Sequence, residues 1–174
     1  MPITVVGNPM SLTWANFTGV PNQIFDPADS TLVDAYTAFN FNIPNTPTRV
    51  INGQHALGET FTITITPNAR VWSGVSQTAA LLSHEEWHYH VGIVTARALA
   101  KQLAALRAPT LPQLSTLFGD AVKLHFTTRA GILQKRYDID TKHGTQAHYQ
   151  KIWKDRMTVV LANPKSDQIG GFYL

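Results

Sequence analysis

The sequence contains no cysteine and only three glutamates among its 174 residues. The absence of cysteine excludes a disulfide scaffold, a thiolate zinc finger and a cysteine nucleophile. Long apolar runs are missing too: near the centre of the chain the longest, residues 79–82, is far too short for a membrane span. The first seven residues lack the basic and apolar regions of a signal peptide, so we expect none.

The first half of the chain has few basic residues. Residues 1–83 carry two basic and four acidic residues, a net charge of −2, and residues 84–174 carry twelve and seven, a net charge of +5. The bases are spread at helical spacing rather than in a block, which favours solvent-exposed helix faces over a nucleic-acid surface. We therefore expect no nucleic-acid partner. The alternative is a non-catalytic basic module, whose binding to acidic polymers would weaken steeply with salt.

The composition of the chain and the spacing of its apolar residues change near residue 76. Residues 1–75 are rich in Pro, Asn, Thr and Gly, and their β-prone runs predict strands at 3–6, 12–17, 35–41 and 61–66, the last ended by Pro67. Residues 76–161 carry apolar residues at helical spacing, which predicts helices at 77–107, 120–137 and 145–161. Residues 162–174 are predicted to be an irregular tail. The length suits one domain, so we predict a single α+β domain: a small N-terminal mixed or antiparallel sheet, an active-site helix and two further helices.

Residues 84–88 read His-Glu-Glu-Trp-His, the pattern H-E-x-x-H, inside the strongest predicted helix. Two histidines four residues apart share a helix face about 6 Å apart along the axis, so both imidazoles can reach one metal ion at about 2.0–2.1 Å. Glu85 then sits beside the ion and can accept a proton from the water that the ion activates. The pattern predicts zinc held by His84 and His88, with Glu85 as the general base.

A catalytic zinc site also needs a third protein ligand and an open fourth position. The extended pattern H-E-x-x-H-x-x-G-x-x-H would supply a third histidine close by. It is absent here, because Val91 and Val94 stand in the places of its glycine and last histidine. The best remaining source of a ligand is the polar stretch 137–144, which combines two carboxylates, an imidazole and a phenol. Without a metal, this stretch would be an ordinary interhelical turn capped by Asp140 or Thr141.

Three side chains compete for the third ligand position: His143, Asp138 and Asp140. We favour His143, because a neutral imidazole leaves the site more positive and Gly144 lets the backbone turn close to the metal. Asp138 or Asp140 would then orient a ligand histidine. If a carboxylate is the ligand instead, His143 is free to stabilise the oxyanion. The other candidates for the oxyanion donor are Tyr137, Tyr149 and His148.

Several stretches together carry a family resemblance. They are residues 12–21, 34–37 and 81–88, Ala96-Arg97, and the pattern Tyr137-Asp138-x-x-Thr141-x-His143-Gly144-x-Gln146. Over most of residues 11–153 the chain resembles the bacterial family of predicted secreted zinc-dependent proteases. The resemblance implies a zincin-like fold and a secreted or periplasmic protein. It also implies His84 and His88 as ligands and Glu85 as base, and it places Asp138, Thr141 and His143 in the site.

The patterns lead to a functional prediction, a zinc metallopeptidase acting on a protein or peptide substrate. A zinc amidase acting on cell-wall peptides uses the same metal chemistry and is the alternative. The strand at 61–66 alternates Thr with Phe and Ile, which predicts one exposed face. We expect its edge to pair with an extended substrate, because main-chain pairing suits a peptide. Trp87 and Trp153 are predicted to be core residues rather than substrate platforms.

Overall fold

The structure is a computed structural model that describes residues 3–6, 11–58 and 60–174, with only the backbone described for 3–6. The signal-peptide prediction rests on residues 1–7, of which 1, 2 and 7 lie outside these ranges. The fold is mixed α+β, a small sheet of several strands followed by helices, which confirms the predicted class. The strands of the first half are β1 (Ile3–Val6), β2 (Phe17–Val20), β3 (Ile24–Asp26), β4 (Thr31–Val33), β5 (Ala35–Asn42), β6 (Thr48–Ile51), β7 (Gln54–Leu57) and β8 (Phe61–Trp72).

The middle strand of the main sheet is β8. On one side β1 runs parallel to its beginning and β2 runs parallel to its end, while β5 runs antiparallel along its other side. The strands predicted at 35–41 and 61–66 are confirmed, but β8 continues through Pro67, where we expected it to end. Pro67 lies between the stretches paired with β1 and β2, so its missing N–H interrupts neither parallel ladder.

The strand predicted at 12–17 is wrong for most of its length. Residues Trp14–Asn16 form a 3-10 turn instead, and β2 begins only at Phe17. Thr13 explains the turn, because its backbone N–H donates to Oδ1 of Asn16 at 2.8 Å. Such local side-chain bonds compete with strand pairing. The remaining strands form two hairpins, β3 with β4 and β6 with β7.

The helices follow as α1 (Ala79–Ala105), α2 (Leu111–Lys123), a π-helical segment (Leu124–Arg129), α3 (Ala130–Thr141) and α4 (Ala147–Ala162). The α2, π-helical and α3 segments join without a break, so the helix predicted at 120–137 is the central part of a longer one. The predicted irregular tail contains a short hairpin, β9 (Gln168–Ile169) with β10 (Phe172–Tyr173). Ile169 and Leu174 pack into the core, which gives the tail its structure.

Helix α1 is the centre of the domain. It packs against β5 and β8 on one side and against α3 and α4 on the other. Gly92 allows this close approach, because a Cβ there would lie 2.4 Å from the ring of Phe39 on β5. His84, Glu85 and His88 are therefore buried on a helix that is enclosed by both layers. Burying such polar groups is costly unless they are paired or bind a ligand.

Candidate metal centre

The two histidines of the H-E-x-x-H pattern meet on α1 as their spacing predicts. His84 and His88 are 2% and 6% exposed, and their Nε2 atoms are 3.2 Å apart. Among the described residues, neither Nδ1 atom has a hydrogen-bond partner. Both rings therefore direct the same nitrogen, Nε2, toward one point.

Helix α3 brings Asp138 to that point. Its Oδ1 lies 3.1 Å from Nε2 of His84 and 2.9 Å from Nε2 of His88. The three donor atoms thus form a triangle with nearly equal sides. In a tetrahedral zinc site with bonds of about 2.0–2.1 Å, neighbouring donors lie about 3.4 Å apart, so a small expansion would admit an ion.

Burial and mutual contact set the protonation of this group. Burial raises the pKa of Asp138, but His88 and His84 lower it more, so the pKa lies below its usual range. Burial lowers the pKa of His88, and Asp138 more than reverses this, so its pKa is raised. Burial lowers the pKa of His84 to about 4. His84 is therefore neutral at physiological pH, the form of imidazole that binds metals.

His143 approaches the same group from the turn after α3. Its Nδ1 lies 3.7 Å from Oδ1 of Asp138. One donor atom each of His84, Asp138 and His143 lie within 4.8 Å of one another, so these three side chains could hold a metal ion. Two of them are buried and His143 is half-buried. His84 and Asp138 thus have two possible partners, His88 and His143, whereas a hydrolytic zinc site uses three protein ligands and keeps a position open.

The turn that carries His143 is strained. Lys142 and His143 have φ of 45° and 50°, and Gly144 follows at 84°. A non-glycine residue in this left-handed region costs of order 1–3 kcal/mol, and such residues cluster at functional sites. Glycine suits position 144, because its φ of 84° strains any side chain and a Cβ there would lie 3.1 Å from Cβ and Cγ of His84. The turn therefore packs closely against His84, and the approach of its backbone to a metal ion stays a prediction.

Thr141 shapes the same turn rather than facing the donors. It is fully buried, and its hydroxyl donates to the carbonyl of Tyr137 at 2.7 Å and accepts from the N–H of Gly144 at 3.3 Å. Asp140 lies apart from the donor atoms. Its Oδ1 lies 2.8 Å from Nη2 of Arg136, and its Oδ2 accepts a hydrogen bond from the Nε1–H of Trp153 at 3.0 Å.

Glu85 is buried beside the histidines and lines the same cleft. Burial raises its pKa to about 7, against the lowering effect of His88 and of the Thr37 hydroxyl on β5. Its Oε2 has no hydrogen-bond partner within the described ranges. A carboxylate of this pKa is suited to take up and release protons near neutral pH. The next residue, Glu86, is half-exposed, and its Oε1 lies 3.8 Å from Nε2 of His90.

Tyr137 lies beneath the metal-facing rings. It is fully buried and stacks on His84 and Trp87, with ring centroids 4.7 and 3.9 Å apart. Its hydroxyl has no partner among the residues that the structure describes. Tyr137 is also absent from the described lining of the cleft, so its predicted catalytic role stays a prediction. Trp87 and Trp153 are 3% and 1% exposed, which confirms both as core residues.

The cleft above the donors has a volume of about 630 Å³. Its walls come from the β3–β4 hairpin, β5, α1 and α3. The hairpin carries site residues that the sequence patterns did not predict. Oδ2 of Asp29 lies 2.7 Å from Nε2 of His143. Asp26, Asp29 and His143 also form a second set of donors, within 4.8 Å of one another. One signal pointed to them, since residues 26–34 hold three of the eleven acidic residues of the chain.

The remaining candidate side chains lie elsewhere. His148 and Tyr149 are exposed on α4, and both are outside the described residues that line the cleft. His125 is buried in the π-helical segment, with Nε2 2.7 Å from Oε1 of Gln102. Burial and the nearby Arg129 lower its pKa to about 4.

Comparison of the chain with models of known protein families, with curated proteins and with solved structures found no match. Function therefore has to be inferred from the geometry of the site and from the sequence pattern. Within the described part of the chain, no helix combines the length and the apolar character needed to cross a bilayer.

Proposed function

We propose that this protein is a zinc-dependent hydrolase of peptide bonds with a zincin-like fold, as its sequence resemblance implies. The observation that carries the proposal is the triangle of His84, His88 and Asp138 donor atoms beside the buried Glu85. Two histidines and one carboxylate are a known ligand set of catalytic zinc sites. Two buried histidine Nε2 atoms suit zinc better than magnesium or calcium, which prefer oxygen ligands.

We assign the third ligand position to Asp138, the alternative that the sequence left open. Its Oδ1 faces the Nε2 atoms, on the side where the ion would bind. A carboxylate that only oriented a ligand histidine would contact the other ring nitrogen, Nδ1. His143, which the sequence favoured, lies 3.7 Å from the same oxygen. Its role as a ligand stays a prediction, and the zinc affinities of the variants below distinguish the two assignments.

The residues around the donors supply the rest of the chemistry. When bound, zinc polarises a carbonyl oxygen and lowers the pKa of water. Glu85 accepts the proton of the attacking water and passes it to the leaving amine. Its raised pKa of about 7 gives it the proton affinity that a base needs near neutral pH. His143 lines the cleft, and in its doubly protonated form, with Nε2–H donated to Asp29 and a second proton on Nδ1, it is our candidate for the donor that stabilises the oxyanion.

The substrate that we propose is an extended protein or peptide segment. The expected role of residues 61–66 as a substrate edge stays a prediction, since β1 pairs with residues 61–64 and β5 with residues 64–71. Residues 35–37 of β5 line the cleft instead, next to Glu85. Main-chain pairing with this segment would suit a peptide of any sequence.

Metal analysis and a hydrolysis assay test the proposal directly. We expect protein purified without added metal to contain one zinc ion per chain and to cleave a fluorescently labelled unfolded protein, with activity lost on chelation. Cell-wall stem peptides in a parallel assay test the amidase alternative. A protein with no measurable affinity for zinc would overturn the proposal.

A further inference from the structure

The β3–β4 hairpin reaches across the cleft to the turn after α3 through one carboxylate. Oδ2 of Asp29 lies 2.7 Å from Nε2 of His143. Its other oxygen, Oδ1, accepts from the backbone N–H of Thr31 at 3.1 Å and from the Thr31 hydroxyl at 2.6 Å. The carboxylate is therefore held at one oxygen and presents the other to the imidazole.

This contact determines which nitrogen of His143 faces the donor atoms. An ionised carboxylate can only accept a hydrogen bond, so Nε2 of His143 carries the proton that Asp29 accepts. The opposite nitrogen, Nδ1, is the one 3.7 Å from Oδ1 of Asp138. The strained backbone of the turn brings the ring to the site, and Asp29 sets its orientation there.

We propose that Asp29 is a positioning residue that holds the His143 imidazole with Nδ1 facing the metal centre. The orientation itself follows from the contacts of Asp29 alone. Its consequence for hydrolysis rests on the proposed function. An outer carboxylate bonded to the far nitrogen of a site histidine is a common device for fixing ring and tautomer, and its loss costs about 10–100-fold in metal affinity or activity.

The same residues could instead hold a second ion, since Asp26, Asp29 and His143 offer donor atoms within 4.8 Å of one another. The distances favour the direct bond. Oδ2 of Asp29 and Nε2 of His143 are 2.7 Å apart, the length of a charge-assisted hydrogen bond. Asp26 already caps the hairpin turn, with Oδ1 accepting from the N–H of Ala28 at 2.8 Å.

A double-mutant cycle tests the proposal. We expect Asp29→Asn to lower kcat about 10–100-fold, with KM little changed, and to add nothing once His143 is replaced by Ala. Asp155→Asn is the matched control. Asp155 is exposed on α4, outside the described lining of the cleft, and its Oδ2 lies 2.6 Å from Nζ of Lys151. Parallel losses of zinc affinity in Asp29→Asn and His143→Ala would support the same positioning, with His143 as a ligand. Additive losses, or no loss in Asp29→Asn, would overturn it.

Nuclear magnetic resonance of the imidazole nitrogens gives a readout that does not depend on hydrolysis. In metal-free wild-type protein we expect His143 to be protonated at Nε2, with a slowly exchanging proton that Asp29→Asn loses and Asp155→Asn keeps. Protonation at Nδ1 alone would overturn the inference, as would a metal stoichiometry of two that Asp29→Asn reduces to one. If the wild-type protein binds no zinc but shows the expected spectrum, the proposed function fails and the positioning contact stands.

Discussion

The candidate metal centre is assembled from two regions that differ in how the chain encodes them. The helical region contributes His84, Glu85 and His88 from a single stretch of α1, with Asp138 from α3, and all four are buried. The hairpin region contributes Asp29, which bonds a histidine 114 positions away. The Asp29 and His143 side chains are 26% and 29% exposed.

The difference in burial should determine how much each region matters to catalysis. A charge enclosed by protein interacts strongly with its neighbours, whereas solvent weakens the contacts of a half-exposed pair. We therefore expect changes in the helical region to abolish activity and changes in the hairpin region to reduce it. Losses of activity of the same size in both regions would contradict this expectation.

The largest expected effect is that of Glu85→Gln. Because the role proposed for Glu85 is that of the base and not of a ligand, the variant should lose at least about 10²–10⁴-fold in kcat and retain its zinc. Glu86→Gln is the control, since the half-exposed Glu86 side chain faces His90 rather than the donors, and it should remain active. Loss of zinc from Glu85→Gln, measured by elemental analysis, would contradict the assignment.

The next effect distinguishes the two candidates for the third ligand. Asp138→Ala should weaken zinc binding by orders of magnitude, because it removes the oxygen that faces both Nε2 atoms. His143→Ala should keep its zinc and lose kcat. Competition with a chromogenic chelator measures both affinities. The reverse pattern would restore His143 as the ligand that the sequence favoured.

A smaller effect is expected where the two regions join, at Gly144. Gly144→Ala should lower the free energy of unfolding by about 1–3 kcal/mol, because alanine resists the positive φ and its Cβ would press on His84. Gly171→Ala is a matched control, since Gly171 also has a positive φ, 90°, but a Cβ there would meet nothing within 4 Å. Urea unfolding and zinc titration measure both variants. Only Gly144→Ala should weaken zinc binding, and equal effects would refute the contact with His84.

The smallest effect concerns His125, which belongs to neither region. Its pKa is lowered from 6.5 to about 4 by burial and by Arg129, so the unfolded chain binds its proton first as the pH falls. The stability that His125 contributes is present above pH 6.5 and is lost as the pH falls toward about 4. In urea unfolding, His125→Gln should lose less stability over this range than the wild type. An unchanged pH dependence would show that His125 does not titrate as its burial requires.

Much of the helical region could be predicted from the order of the residues alone. The spacing of His84 and His88 has meaning only on a helix, and the apolar pattern around it predicts that helix. The approach of residues 137–144 was predictable because an unfilled metal position required a partner. The π-helical segment and the extension of α3 through Thr141 were not predicted, because helix ends depend on packing as much as on local sequence.

The hairpin region could not be predicted in the same way. Asp26 and Asp29 stand in a short stretch that resembles an ordinary capped turn, and Asp29 does make that kind of bond with Thr31. Its second bond, to His143, depends on where the hairpin lies relative to α3. The end of β8 was wrongly predicted at Pro67 for a similar reason. A proline is tolerated within a strand only where no neighbouring strand needs its N–H, and that depends on how the strands pair.

The order of the residues is enough to predict the α+β class, the helix that carries His84, Glu85 and His88, and the stretch that supplies further donors. These features follow from periodicity and residue chemistry over a few turns of chain. The packing of distant elements, by contrast, places Asp138 against both Nε2 atoms, stacks Tyr137 beneath them and brings Asp29 to His143. Those contacts join elements far apart in the chain, and their geometry depends on close approaches such as Gly92 on Phe39 and Gly144 on His84.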